Sequence, residues 1–200
     1  MPFQIRPYEP TDHDTVYEIC LKTGKSGQDA TDQFEDPKLL GHIYAGPYIN
    51  LEPESAFILE DEMGACGYII GALDTQSFFH KIESKWLPNL QNHYIEPAEV
   101  SKLWTKDEEL IHLLYHPELP EDLSDYPSHL HIDLLPRAQG QGMGKKMMDH
   151  FLNYVKESGS KGLHLGLSIR NNRAFQFYKK YGMKELKQNS ETIIMVISFE

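Results

Sequence analysis

Apolar residues recur at helical spacing over 142–157, where Met143, Met147, Met148, Phe151, Leu152 and Val155 fall on one face. That period predicts an amphipathic helix. Residues 130–135 and 162–168 on either side of it read as strands. Residues 171–181 read as a short helix, with Asn171 placed to cap its start and Gly182 to stop its end. The apolar run 192–199 reads as a long strand. At the front, residues 3–7 alternate as a strand closed by Pro7. Thr11 with Asp14 resembles a capping box for a helix running through about Leu21. Asp36 and Pro37 open a second helical stretch toward Tyr44. Residues 55–59 and 65–73 read as strands joined by a hairpin turn at Asp61, Glu62, Met63 and Gly64. Residues 75–127 break this rhythm, with helical pieces at 78–92 and 106–115 and proline-rich joins.

Composition and charge sharpen this picture. Two hundred residues suit one domain over 1–200, with an acidic helical insertion at about 75–127. That segment holds ten Asp or Glu against four Lys or Arg, over half of the net charge of −11. It also carries Trp86, Tyr94, Trp104 and Tyr115. Acids and aromatics together can build a substrate wall, and aromatics packing the insertion onto the core is the other reading. The acidic balance argues against nucleic-acid binding and is compatible with a cationic substrate such as an amine. No apolar run is long enough to span a bilayer and no apolar leader is evident, so no membrane partner and a cytoplasmic location are expected. Cys20 and Cys66 have neither metal-ligand nor redox spacing and are expected to be free thiols.

The chemistry concentrates at Gln139-Gly140-Gln141-Gly142-Met143-Gly144-Lys145. Alternate glycines let the backbone approach a ligand closely, and the helix that follows aims its N–H groups at the same place. Lys145 and Lys146 in the first helical turn, with Arg137 upstream, set cations where the dipole disfavours them; a bound polyanion would relieve this. A Walker A loop needs Ser or Thr after the lysine, and Lys146 stands there. A dinucleotide fingerprint needs an acid at the end of the next strand, which instead ends in Ile169 and Arg170. A pyrophosphate cradle of another type remains.

The run 136–144 resembles the acetyl-coenzyme A loop of the GNAT superfamily of N-acetyltransferases, Gln/Arg-x-x-Gly-x-Gly/Ala, met by Gln139, Gly142 and Gly144. Residues 171–183 are similar to that family's next motif, with Asn171, Ala174, Tyr178 and Gly182 in register. The resemblance implies an α/β (α+β) GNAT fold, a mixed and mostly antiparallel central sheet with helices on both faces. It implies direct acetyl transfer from acetyl-coenzyme A to a primary amine, either a small molecule or a peptide lysine or N-terminus. Main-chain groups near Leu134 and Leu135 would hold the pantetheine, one N–H polarising the thioester oxygen. Gln139, Gly140, Gln141, Gly142, Met143, Gly144 and Lys145 would hold the pyrophosphate. Asn171 matches a residue that contacts the cofactor or caps the helix. Arg173 either approaches the adenosine phosphates or is solvated. Tyr178 matches the usual general acid, and its alternative role is packing beside Phe175 and Phe177.

His129, His131 and Asp133 alternate, so they project from one strand face. Three readings stand: a base at Asp133 or His131, directly or through water; a metal site; or polar residues at the sheet face. Same-face neighbours lie about 6.5–7 Å apart, wide for one ion, and no metal is expected.

The tracts 20–31, 36–37, 45–48, 66–74 and 127–133 are similar to the C-terminal acetyltransferase-like domain of animal O-GlcNAcase, whose cofactor loop is lost. Here the loop 139–144 is whole, as in a free-standing, bacterial-type relative. That pattern sets Tyr48, Asp74 and His131 or Asp133 toward the acceptor. A binding or protein-interaction module without turnover is the alternative function. A homodimer is left open.

Overall fold

The structure, a computed structural model, describes residues 3–98 and 104–199. The lead-in at 1–2, the part of the acidic insertion at 99–103 and residue 200 lie outside the described residues.

Seven strands form one sheet. In chain order they are β1 (Gln4–Pro7), β2 (Ala56–Asp61), β3 (Gly64–Ala72), β4 (Ser128–Leu134), β5 (Gly162–Ser168), β6 (Lys184–Gln188) and β7 (Thr192–Ser198). Their spatial order is β1-β2-β3-β4-β5-β7-β6. Every neighbouring pair is antiparallel except β4 and β5, which run parallel. The mixed, mostly antiparallel sheet expected from the sequence is therefore present.

Helices cover both faces. On one lie α1 (His13–Thr23), α2 (Leu39–Tyr44) and α3 (Gly46–Leu51), packed with Ile58, Tyr68 and Ile70 of the sheet. The insertion adds α4 (Thr75–Lys81), α5 (Leu87–Gln91) and α6 (Lys106–Tyr115). On the other face lie α7 (Met143–Glu157) and α8 (Asn172–Tyr181). The six apolar residues of α7 named from the periodicity are all buried there.

Several local expectations change. The capping box at Thr11 and Asp14 does not open α1. The Asp12 carboxylate instead closes the short 3-10 turn at Pro10–Asp12 that leads into α1: it accepts the Glu9 N–H at 2.9 Å and two bonds of 2.7 Å from Arg6. The helix expected at 78–92 begins earlier, capped by Asp74, and widens into a π-turn over Ile82–Trp86. Pro88 explains the widening, since it lacks an N–H and its ring crowds the carbonyl four residues back. Helix α3 and strand β6 carry no clear period. β6 is a charged edge strand with a bulge between Glu185 and Lys187, a form that blunts edge pairing.

Candidate active site

β4 and β5 are paired at Ser128 with Leu163 and His129 with His164. Beyond that point β4 continues through Leu134 on β3 alone, so its β5-facing edge is open. Backbone groups alternate in direction along a strand. The Leu135 N–H turns to β3 and bonds Cys66 O at 2.8 Å. The Leu134 N–H therefore belongs to the open edge, while the Leu134 carbonyl accepts the Gln139 side-chain amide at 2.7 Å. Of the two residues expected to meet a pantetheine, Leu134 keeps a free donor and Leu135 has spent its own.

The glycine loop follows directly. Gly140 and Gly142 have φ of 72° and 76°, a region costly for side-chain residues. A Cβ at either would meet nothing within 4 Å, so the loop surface is bare on that side. The first backbone bond across the start of α7 runs from Lys146 N–H to Gly142 O. The N–H groups of Met143, Gly144 and Lys145 have no carbonyl one turn back. Gly144 differs: a Cβ there would lie 3.3 Å from Phe177, so it also lets α8 pack closely.

Several polar side chains expected to face a phosphate brace the loop instead. Gln139 bonds Gly27 O at 3.1 Å and accepts from Arg173 at 2.8 Å. The Gln141 amide bonds Arg137 O at 2.5 Å. Arg137 pairs with Asp61 at 2.9 Å, and Lys145 with Asp149 at 2.6 Å. Two members of the expected cation cluster are thus already neutralised, and Lys146 is exposed. Asn171 caps α8, accepting from Ala174 N–H at 3.0 Å.

Tyr178 on α8 is 8% exposed. Burial, and second the charge of Asp133, push its phenol upward, so the group stays protonated. Asp133 accepts the Tyr68 hydroxyl at 2.6 Å. Burial raises its carboxyl, against the hydrogen bonds from Tyr68 and Thr23.

His129, His131 and Asp133 do share one face of β4, opposite Ala72, Ile70 and Tyr68 of β3 respectively. His129 is buried with both nitrogens used: Tyr48 Oη lies 2.8 Å from Nε2 and Thr75 Oγ1 lies 2.7 Å from Nδ1. Thr75 donates to Pro127 O, so Nδ1 carries the proton and Tyr48 donates to Nε2. That leaves His129 no lone pair for a metal. Burial holds His131 down at about 4, an unprotonated ring at neutral pH.

His131 lines a cavity of about 220 Å³, with Tyr44, Tyr48, Phe79, Trp86 and Glu118 among its walls. Tyr48 and His131, expected from the sequence on the acceptor side, both line it; Tyr44, Phe79 and Glu118 line it too and were not singled out by the sequence. They come from α2, α4 and the segment after α6, and no spacing in the chain links them. Of the insertion's aromatics named from the sequence, Trp86 lines this cavity. Trp104, Tyr94 and Tyr115 are spent on packing and hydrogen bonds within the insertion or to Asp36. Asp74 lies elsewhere: it caps α4, bonding Ser77 N–H at 2.7 Å, and lines a separate cavity of about 190 Å³ beside His164.

Comparison with known proteins places this arrangement. A family model described as "Acetyltransferase (GNAT) domain" matches residues 112–185, which hold β4, the glycine loop and α8. The crystal structure of SsHAT is 37% identical, with a TM-score of 0.92, covering 99% of this chain and 98% of that one. The chain belongs to the GNAT acetyltransferase family. Protein O-GlcNAcase of Rattus norvegicus is 33% identical over 188 residues, covering 92% of this chain. The chain spans 20% of the length of that curated relative. The PaiA N-acetyltransferase from Thermoplasma acidophilum, solved in complex with coenzyme A, shares the fold at 15% identity and a TM-score of 0.58.

As a GNAT N-acetyltransferase, the chain has acetyl-coenzyme A as the acyl donor of its family. Its residues fit that donor: an open strand edge with a free N–H, a bare glycine turn, and helix N–H groups facing the same way. A module without turnover is not favoured: the chain belongs to an acetyltransferase family, and both the glycine loop and Tyr178 of the motif are intact. Among the described residues no helix is long and apolar enough to cross a membrane. Cys20 and Cys66 are buried free thiols.

Proposed function

We propose that the chain transfers acetyl from acetyl-coenzyme A to a primary amine that enters through the cavity lined by Tyr44, Trp86, His131 and Glu118. The observation that carries this reading is the double exposure of β4. Its edge is open toward β5, and its polar face reaches the aromatic cavity at His131. Donor and acceptor would therefore meet at residues 131–134. The apolar and aromatic walls favour an amine borne on an apolar group, and Glu118 at the edge attracts its charge.

Acetyl-coenzyme A supplies the acetyl group as an activated thioester. Met143, Gly144 and Lys145 hold its pyrophosphate through their N–H groups, with Gly140 and Gly142 giving clearance. The Leu134 N–H donates to the oxygen on which negative charge develops. Asp133, with its carboxyl raised by burial, attracts the ammonium and accepts its proton directly or through water. His131 orients the neutral amine. Tyr178 delivers a proton to the leaving sulfur. Its raised phenol suits this because burial raises the proton affinity of a thiolate in the same place.

Calorimetric titration with acetyl-coenzyme A, followed by thiol release across a panel of aryl-alkyl, aliphatic and peptidyl amines, tests the reading. Saturable binding with turnover on an apolar primary amine is expected. Binding without turnover on any of the three classes would remove the transferase assignment for this acceptor route. Absent binding would remove the cradle itself.

A further inference from the structure

The two histidines at the end of α6, His112 and His116, play no part in the site above. His112 lies in the last turn of α6 and His116 is the residue that follows the helix, four positions on and close enough for the two rings to meet, a spacing that suits two ligands of one ion. Their rings stack at 4.3 Å with planes 29° apart. Glu96 arrives from the chain that follows α5, and its Oε1 lies 2.6 Å from His116 Nε2. One ligand atom from each of Glu96, His112 and His116 lies within 4.8 Å of the other two.

The surroundings hold this group in place. The Tyr115 hydroxyl donates to Tyr94 O at 2.6 Å and lies 2.9 Å from Gln91 O. The Gln91 amide bonds Leu114 O at 2.8 Å. These contacts fasten the chain before Glu96 to α6. Trp104 packs on the His112 ring at 4.8 Å, which fixes its plane. Thr105 and Glu108 form a capping box that secures the start of the helix. A ligand set with such outer support loses little freedom when an ion binds.

We propose that Glu96, His112 and His116 bind a divalent transition-metal ion of the Zn²⁺ class on the flank of the acidic insertion. Two imidazoles and one carboxylate match the preference of Zn²⁺ for nitrogen and oxygen ligands, with water completing a tetrahedron. Mg²⁺ prefers an oxygen shell and is disfavoured here. On binding, the ion takes the lone pair of His116 Nε2, and any proton shared with Glu96 passes to the buffer. Small movements suffice, since ligands about 2.0–2.1 Å from one ion stand roughly 3.3 Å apart. The ion would tie α6 to the segment behind α5. Pro117 and Glu118, which follow His116 directly, line the cavity beside His131.

Titration of the full chain with ZnCl₂, monitored by calorimetry, tests this. One equivalent of Zn²⁺ should bind, and the melting temperature should rise. His112→Ala and His116→Ala should each weaken binding at least about tenfold and abolish the thermal shift. Glu96→Gln should weaken it less, while His13→Ala, on the exposed face of α1, should leave it unchanged. Co²⁺ in place of Zn²⁺ should give the visible absorption of a tetrahedral site, lost in His116→Gln. The proposal is overturned if Zn²⁺ fails to bind, if both alanine variants bind as the parent does, or if Mg²⁺ competes at equal concentration. Far-ultraviolet circular dichroism of each variant establishes that α6 is retained.

Discussion

At the scale of single residues, the site rests on side chains whose protonation is set by burial. Tyr178 has a phenol pushed up and no charge to lose at neutral pH. Tyr178→Phe removes the proton donor and keeps the ring among its apolar neighbours. We expect kcat to fall about 10²-fold or more, as for loss of a general acid, with acetyl-coenzyme A affinity within about threefold of the parent. Unchanged thiol release would remove Tyr178 from the reaction. Asp133→Asn tests the base separately. The amide still fills the space beside Tyr68 and cannot accept the ammonium proton, so the pH–rate profile should lose its acidic limb. Tyr178 and Asp133 stood out as candidates in the sequence because one sits in a spaced motif and the other in a strand alternation that it shares with His131. The fixed tautomer of His129 was not legible. It depends on Tyr48 and Thr75, which stand 81 and 54 residues away in the chain.

At the scale of elements, the glycine turn and α7 were the most readable part. Hydrophobic period, strand and glycine loop all agree there, and local choices that agree with the global fold are what make a segment predictable. Elements without such agreement escaped. α3 is short, β6 is charged, and the π-turn at Ile82–Trp86 reflects a proline acting one turn away. The roles within the loop also shifted, since Gln139, Arg137 and Lys145 are bound to protein partners. In the proposed function, recognition of the donor therefore falls to backbone N–H groups. Gly142→Asp tests that view directly. It places an acid where the proposed function sets a phosphate, and a side chain at φ of 76°. Stability should drop by about 1–2 kcal/mol, from the left-handed conformation alone. Acetyl-coenzyme A affinity should fall at least about tenfold, seen by calorimetry on folded protein. Gly142→Ala separates the parts: a similar loss of stability with a smaller loss of affinity. Equal affinity in both variants and the parent would mean that the turn does not hold the donor.

At the scale of the whole molecule, the sheet carries its polar face inward, and this couples stability to pH. His129 and His131 sit under the helices as neutral rings, with His42 and His164 also shifted down by burial. An unfolded histidine takes up a proton near pH 6.5, whereas folded His131 waits until about 4. Between those values the unfolded chain binds more protons, so stability is complete above about 6.5 and is lost as pH falls toward 4. His131 alone contributes a slope of about 1.4 kcal/mol per pH unit inside that window, and the other three rings act in the same direction. Asp12, held down by its bonds from Arg6, acts in the same direction but at lower pH, once the carboxylates themselves titrate. Asp133, raised by burial, acts in the opposite direction from the ordinary carboxylate range upward, so it opposes the histidines at the acidic end of their window. Urea unfolding at pH 7, 6 and 5 should therefore show a midpoint that falls steeply below pH 6.5. His131→Gln, which places a neutral group in the same cavity wall, should flatten that dependence by about 1.4 kcal/mol per pH unit. An identical slope in the variant would mean that His131 titrates equally in the folded and unfolded chains, and hence that the cavity at β4 is wet enough to solvate a charged ring. Such a cavity would also solvate an ammonium, so the same measurement tells whether the acceptor must lose its proton before entering or at the strand itself.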